Sequence, residues 1–174
     1  MKWIVLLLAA CEQKKEAEMP HAVGTYIGGV GACEYSGGPG VFSSAEKTGA
    51  KLVTGAGRVT RKCADTVQII PVLDPTKAKI LGPQSVPVNG TSDKFEVALF
   101  AGDRQLRGDA ALTWNLGPDC AGHAEFAPVP TSPDTGPDRA RKLVGTQAGE
   151  CTLQATLTTG SAQTFNAQLK VSVQ

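Results

Sequence analysis

The residues whose type and spacing best indicate chemistry are the five cysteines of this chain. One of them, Cys11, directly follows an apolar run of eight residues from Trp3 to Ala10. The other four are spread along the rest of the chain: Cys33, Cys63, Cys120 and Cys151. A cysteine sulfur can form a disulfide, bind a metal or react as a nucleophile, and its surroundings decide among these. The two groups of cysteines therefore predict different chemistry.

The four later cysteines have the distribution of structural disulfides. No two of them lie closer than 30 residues, so the CxxC pairs of zinc sites and of thioredoxin-like redox centres are absent from the sequence. Among the possible pairings we favour Cys33 with Cys63 and Cys120 with Cys151, because each pair then falls within one predicted segment of the chain. In the chain-entropy model, each such bridge stabilises the fold by about 3 to 4 kcal/mol.

The residues before Cys11 are arranged as in a signal peptide, with a positive start followed by an apolar run and small residues at its end. Met1 and Lys2 give a short positive start, and the apolar run that follows ends in Leu8-Ala9-Ala10-Cys11. As a helix this run would rise only about 12 Å, at about 1.5 Å per residue. Because the hydrocarbon core of a bilayer is roughly 30 Å thick, the run is too short to serve as a lasting transmembrane anchor.

Leu8-Ala9-Ala10-Cys11 resembles the lipobox of bacterial lipoproteins. The resemblance implies that residues 1–10 are removed as a signal peptide and that Cys11 becomes the first residue. It also implies a diacylglycerol on the Cys11 thiol and a further acyl chain on the new amine. Several acyl chains hold a protein firmly in a membrane, because each buried methylene contributes about 0.8 kcal/mol.

Some alternatives to this interpretation stay open. The signal is ten residues long, whereas roughly 15 to 30 is usual, so we expect the true start codon upstream. Cys11 could also follow an ordinary secretory signal, or be a plain thiol after a fortuitous apolar start. Glu12 stands where an Asp marks retention in the inner membrane of enteric bacteria. Within the lipoprotein interpretation we therefore expect attachment to the outer membrane.

Charge and composition describe the chain after Cys11. Residues 11–23 are predicted to be a flexible tether, because the stretch up to Pro20 is rich in charge and has no apolar face. Lys2 leaves with the signal, so the 17 basic and 16 acidic residues of the whole chain become 16 of each. A nearly neutral chain offers no basic patch for nucleic acid. The expected partners are the membrane, through the acyl chains on Cys11, and an envelope protein or glycan.

Apolar and polar residues alternate nearly everywhere after residue 90, as in strands that are buried on one face. The clearest segments run from Lys94 to Phe100, Leu112 to Leu116, Cys151 to Thr158 and Phe165 to Val173. Turn residues such as Asn89-Gly90 and Thr159-Gly160-Ser161 bound several of them. The pattern predicts an all-β fold with an antiparallel sandwich. Trp114 alternates in step with Leu112 and Leu116, whose side chains are predicted to face the core. We therefore expect Trp114 in the core and not in a ligand-stacking role.

Two motifs in this half of the chain resemble the bacterial immunoglobulin-like domains. Leu112-Thr113-Trp114 is similar to a Thr-Trp strand in the middle of that domain. Gly145 to Thr156 is similar to its Gly-x-x-x-Gly turn, which leads into a strand ending in Ala-Thr. The resemblance covers about residues 74–174 and implies an immunoglobulin-like antiparallel sandwich. The bridge from Cys120 to Cys151 departs from the family pattern, and we expect it not to join the two sheets.

Residues 24–73 are predicted to form a small Gly-rich β segment that the first disulfide staples. Ten glycines fall between Gly24 and Gly57, among short β-prone pieces. A better strand pattern follows from Thr66 to Ile70. Glycine loses much conformational entropy on folding, so this segment depends on its staple for order. Asp74-Pro75 is the expected seam between this segment and residues 74–174.

The sequence offers little for catalysis, metals or cofactors. Its two histidines, His21 in the predicted tether and His123, lack partners at the spacing of a metal site or a catalytic triad. Asp134 and Asp138 belong to a Pro-rich stretch without the spacing of an EF-hand loop. We therefore predict no catalytic residue, no metal and no cofactor, and we expect the stretch 128–138 to be an exposed loop.

Two functions remain open at this stage. In the first, a membrane-anchored envelope lipoprotein displays a non-catalytic immunoglobulin-like module that binds a partner through loops such as 128–138, or acts as a spacer. In the second, the protein is an envelope enzyme or enzyme inhibitor whose site is assembled from residues distant in sequence. A pocket with convergent titratable groups would favour the second. We favour the first, and predict that the protein is not an enzyme.

Overall fold

In a computed structural model of the chain, the described residues are 19–28, 33–47, 49–128 and 140–174. This part of the chain is all-β, with a 3-10 turn at Pro118–Cys120 as its one helical element. In chain order the strands are β1 His21–Ala22, β2 Tyr26–Gly28, β3 Cys33–Gly37, β4 Phe42–Lys47, β5 Ala50–Val53, β6 Gly57–Cys63, β7 Thr66–Leu73, β8 Lys77–Leu81, β9 Ser85–Val86, β10 Phe95–Ala101, β11 Arg104–Leu106, β12 Ala111–Leu116, β13 Ala124–Phe126, β14 Ala140–Arg141, β15 Leu143–Gly145, β16 Gly149–Thr158 and β17 Thr164–Val173.

The chain from β8 onward forms two main sheets that share one core, which we call the sandwich. In the first sheet β10 pairs antiparallel with β8, β11 and β14. The second sheet has the strand order β12, β16, β17, β9. β8 and β9 follow each other in the chain but join opposite sheets, and β9 runs parallel to the last strand, β17. This is the arrangement of an immunoglobulin-like sandwich, and the predicted fold class is confirmed.

Strands β16 and β17 show why the sequence folds in this way. They pair along ten positions, from Gly149 opposite Val173 to Thr158 opposite Thr164. The alternate residues of β16 are buried, and Cys151 and Leu153 are fully enclosed. The residues between them are half-buried on the other face. The alternation of the sequence therefore fixes which face of the sheet meets the core.

Trp114 lies on β12 and packs, half-buried, against the main core of the sandwich. The prediction that the Trp114 side chain faces the core is therefore confirmed. Its indole nitrogen Nε1 is buried and has no hydrogen-bond partner among the described residues. An unsatisfied buried donor is destabilising, so the ring stabilises the core through its apolar area alone.

The chain before β8, which we call the N-terminal segment, also forms two sheets. Their strand orders are β1, β7, β6, β3 and β2, β5, β4. The strands predicted around Tyr26, Leu52 and Ile69 are present as β2, β5 and β7. The enclosed side chains are small and mostly valine: Val23, Ile27, Val41, Val53, Val59, Ile70 and Val72. So little apolar volume supplies a weak driving force for folding.

Both disulfides have the pairing that the sequence analysis favoured. Cys33 is bonded to Cys63, and the two stand directly opposite each other on β3 and β6. Cys120, in the 3-10 turn after β12, is bonded to Cys151 on β16. Because β12 and β16 are neighbours in one sheet, this bridge stays within that sheet, as expected. Both of its cysteines are buried in the main core.

One sequence-based expectation is wrong at its C-terminal end. Residues 20–23 fall within the predicted tether, but all four are buried, and His21 and Ala22 form β1. The charged run ends at Glu18, and the five residues after it include no Lys, Arg, Asp or Glu, so they can enter the fold without burying a full charge. A strand of two residues is too short to show a period, which is why the pattern did not indicate it.

Candidate functional site: a cleft at the junction

The junction between the N-terminal segment and the sandwich is built on backbone hydrogen bonds. β1 runs parallel to β7, with His21 opposite Val72. On its other side, the Ala22 amide donates to the Arg107 carbonyl at 2.8 Å, and the Arg107 amide donates to the Pro20 carbonyl at 2.7 Å. The chain therefore enters the fold as a strand shared by both halves.

Close packing reinforces this junction at Gly108. A Cβ on Gly108 would lie 2.2 Å from Thr25 Oγ1, and the residue has φ +145°. Thr25 itself is fully buried. Gly160, in the turn before β17, approaches Tyr26 in the same way, since a Cβ there would lie 2.7 Å from the Tyr26 ring. Only glycine allows both loops of the sandwich to approach the N-terminal segment this closely.

A small apolar cluster completes the junction. Its buried members are Ala22 from β1, Leu99 and Leu106 from the first sheet, and Leu157 from β16. Leu73, at the end of β7, packs against them. The two halves are thus joined by backbone hydrogen bonds and shared apolar contacts, which makes independent movement costly.

A cleft of about 550 Å³ opens beside the junction. Its walls come from both halves: Leu99, Leu106 and Leu157 supply apolar surface, while His21, Arg107 and Asp109 supply polar groups. Met19, at the entry of the chain, also lines it. Clefts of roughly 300 to 1,000 Å³ with apolar walls and a few polar groups are typical of ligand sites. The arrangement can therefore hold a small apolar group or side chain.

The most enclosed polar pair in this region is His21 with Thr25. The Thr25 hydroxyl donates to the Ala22 carbonyl at 2.7 Å. It also lies 2.9 Å from His21 Nε2. Because its single proton is used toward Ala22, Thr25 Oγ1 accepts from Nε2–H, which fixes the tautomer of the ring. The pair therefore holds the loop after β1 in place and does not form an activated hydroxyl.

Burial sets the charge of His21. Loss of solvent contact lowers the pKa of His21 below its ordinary value of 6.5. A backbone hydrogen bond with Tyr26 and the Asp109 carboxylate oppose this, and the charge of Arg107 adds to it. Burial therefore favours the neutral form of the ring.

The other predicted sites are not brought into this cleft. Cys11, Asp134, Asp138 and all but the first residue of the loop 128–138 lie outside the described residues. His123 lies at the start of β16, where its ring packs against Gly149, whereas the cleft is lined by Leu157 near the end of that strand. Within the described part of the chain, no group of three or more His, Cys, Asp or Glu side chains is placed to hold a metal ion.

Sequence reasoning missed the cleft because its residues come from distant parts of the chain. His21 and Asp109 are 88 positions apart, so no spacing in the sequence connects them. Two features of the sequence are associated with the junction: the end of the charged run at Glu18, and Gly108, which follows Leu106 by two positions. Each feature is compatible with several structures, so neither predicts a cleft by itself.

Several solved structures match this chain weakly over most of its length. Domains 4 and 5 of the S-layer protein SbsC are 15% identical over 82% of this chain and 76% of that chain, with a TM-score of 0.37. The D00-D0 domain of intimin is 11% identical over 90% and 97%, with a TM-score of 0.33. Mouse cadherin-23 EC22-24 is 17% identical over 90% and 59%, with a TM-score of 0.35.

No protein-family model matches the sequence, and no curated protein matches it. The structural similarities above are too low to carry a function. We therefore assign the fold from the strand order and register of this chain alone. It is an immunoglobulin-like sandwich with a second β segment. Among the described residues, no helix has the length and apolar character needed to span a membrane.

Replacing Gly108 with alanine tests the close packing of the junction. We expect Gly108→Ala to lower the free energy of unfolding by about 1 to 3 kcal/mol, because the new methyl overlaps Thr25. The measurement is urea unfolding of the full chain. Gly38→Ala is the matched control, because a Cβ there meets nothing within 4 Å. Equal stability of the two variants would contradict the packing.

Acid should weaken the fold through His21. The folded pKa is lowered, so the stability is fully present above pH 6.5 and falls as the pH drops toward the folded pKa, because only the unfolded chain takes up the proton. We expect His21→Gln to flatten this pH dependence in unfolding curves between pH 7.5 and 5. His123→Gln serves as the control that keeps it. An unchanged slope in His21→Gln would show that other groups cause it.

Proposed function

We propose that this chain is a lipid-anchored envelope protein whose two β parts form one rigid, non-catalytic binding module. The observation that carries the proposal is the entry of the chain at the junction, where β1 is hydrogen-bonded to both halves. An anchor on Cys11 would therefore attach where the two halves are joined. The lipobox-like residues before Cys11 support the anchor itself.

The length of chain between anchor and fold limits where the module stands. Met19 is eight positions after Cys11. Even fully extended, such a stretch spans at most about 29 Å. The junction cleft, which Met19 lines, would thus stay within about 30 Å of the bilayer surface. The far ends of the sandwich and of the N-terminal segment remain available to a partner.

The geometry supports binding over catalysis. The most enclosed polar pair at the cleft, His21 with Thr25, is engaged in fixed hydrogen bonds. The other walls combine apolar surface from leucines with the polar groups of Arg107 and Asp109, which suits a ligand or a partner side chain. We expect the partner to be an envelope protein or a glycan, and the compartment to be the outer membrane. The loop 128–138, between β13 and β14, is the expected recognition element.

Anchoring is tested with Cys11→Ala in cells that express the full chain. We expect the unchanged protein in the membrane fraction with lipid mass on its amino-terminal peptide, and the variant either free of membranes or stalled as an uncleaved precursor. Lys14→Ala, in the tether, is the matched control and should behave as the unchanged chain does. A normally processed Cys11→Ala protein that still sediments with membranes would contradict the anchor.

Binding is tested by crosslinking the full chain in native envelopes. We expect a defined adduct with a protein or with a glycan, and its loss when residues 129–138 are replaced by a Gly-Ser linker of equal length. A variant with the same replacement at residues 102–103, the turn between β10 and β11, is the control and should keep the adduct. If the unchanged chain gives no adduct, the module is a spacer.

A further inference from the structure

A second cleft, of about 450 Å³, opens in the N-terminal segment, and we call it the N-terminal groove. Strands β2, β3, β5, β6 and β7 supply its walls, so both sheets of the segment contribute to it. Its volume lies in the range of roughly 300 to 1,000 Å³ that is typical of ligand sites. Its charged residues are distinct from those of the junction cleft.

The strand register places four polar side chains of the groove on one face of a sheet. Glu34 stands opposite Lys62, and Lys62 stands opposite Val67. Two positions along, Ser36 stands opposite Thr60. Side chains that stand opposite each other, or two positions apart on one strand, share a face. A carboxylate, an ammonium group and two hydroxyls therefore lie side by side in this groove.

Two lysines give the groove a positive balance. Lys62 is exposed on β6, and Lys51 enters from the other sheet, with its Nζ 5.7 Å from the centroid of the Phe42 ring. Among the described residues, neither lysine forms an ion pair with a carboxylate. Glu34 is the single acidic residue that lines the groove among these residues. An anionic group of a ligand can therefore pair with the two ammonium groups.

Apolar surface lies beside the charged groups. Val67 is 62% exposed, although it is a large apolar residue, and it forms part of the wall. Tyr35 and Ile27 also line the groove. The Tyr35 ring packs closely on Gly28, where a Cβ would lie 3.3 Å from the ring. The groove thus offers apolar contacts, hydroxyls and charge within one site.

We propose that the N-terminal groove binds an acidic sugar residue of a glycan. The carboxylate of the sugar pairs with the ammonium groups of Lys51 and Lys62. Its hydroxyls donate to the Glu34 carboxylate and exchange hydrogen bonds with the Thr60 hydroxyl, which can both donate and accept. The C–H face of the sugar ring packs on Val67.

The charges of the groove favour this ligand over simpler ones. A neutral sugar would leave both lysines without a counter-charge, whereas a ligand that is only an anion would face the like charge of Glu34. An acidic sugar suits both kinds of group, because one ring carries a carboxylate and several hydroxyl donors.

This site rests on the proposed function, because it assigns a ligand class to a module that is proposed to bind a partner. It uses neither Cys11 nor the loop 128–138. The tests of the anchor and of that loop therefore give results that are separate from the test of the groove.

Three polymers test the ligand class. The probes are alginate, which is a polymer of uronic acids, dextran, which is a neutral glucose polymer, and polyacrylate, which carries carboxylates without sugar rings. We expect the full chain to bind alginate in isothermal titration calorimetry, and to bind dextran and polyacrylate several-fold more weakly. No binding of alginate, or equal binding of either other polymer, overturns the proposal.

Substitutions in the groove test the location of the site. We expect Lys62→Gln and Lys51→Gln each to weaken alginate binding several-fold, because each removes one ammonium group. Lys142→Gln, at an exposed lysine between β14 and β15, is the matched control and should bind as the unchanged chain does. Glu34→Gln should reduce the preference for alginate over polyacrylate, because it removes both the hydroxyl acceptor and the like charge. Unchanged binding in Lys62→Gln, or an equal loss in Lys142→Gln, refutes the assignment to this groove.

Discussion

The structure depends on a constraint at the point where the chain enters it: the backbone groups around β1 are buried and must find partners. They find them in both halves at once, because Ala22 donates to Arg107 while the Val23 amide donates to Leu73. A buried amide left without a partner costs free energy comparable to a lost hydrogen bond. Separating the halves would break several such bonds and expose the apolar cluster around Leu99 and Leu157. The two β parts are therefore held in one arrangement, although their main cores are separate.

The disulfides compensate for different weaknesses in the two parts. The enclosed side chains of the N-terminal segment are mostly valines, which bury little area, and its glycines raise the entropy lost on folding. Cys33 and Cys63 join β3 to β6 near the end of the sheet, where this core does not reach. In the sandwich, by contrast, Cys120 and Cys151 are part of the core and fix the turn after β12. Asp119 adds to that turn by accepting from the Thr152 hydroxyl at 2.6 Å.

The sequence predicts best those parts of the structure in which a pattern of residues repeats over many positions. β16 and β17 alternate over ten positions each, so strand type, inward face and core residues such as Leu153 were predictable. The disulfide pairing followed from the distribution of the cysteines. β1 has two residues and shows no period, so the sequence predicts it as part of the tether. The cleft was not predictable, since His21 and Asp109 are brought together only by strand pairing between the halves.

The same strand explains both the hydrogen bonding of the junction and the limited coverage of β7 beside it. β1 is so short that it covers only the last two residues of β7, and Pro71, which has no amide to offer, marks the limit of that coverage. A longer β1 would have closed the whole edge but would have drawn more of the charged run into a buried position, at a high desolvation cost. The position of the charged run in the sequence thus sets where the chain enters the fold, and the entry point in turn determines how much of β7 the strand β1 can cover.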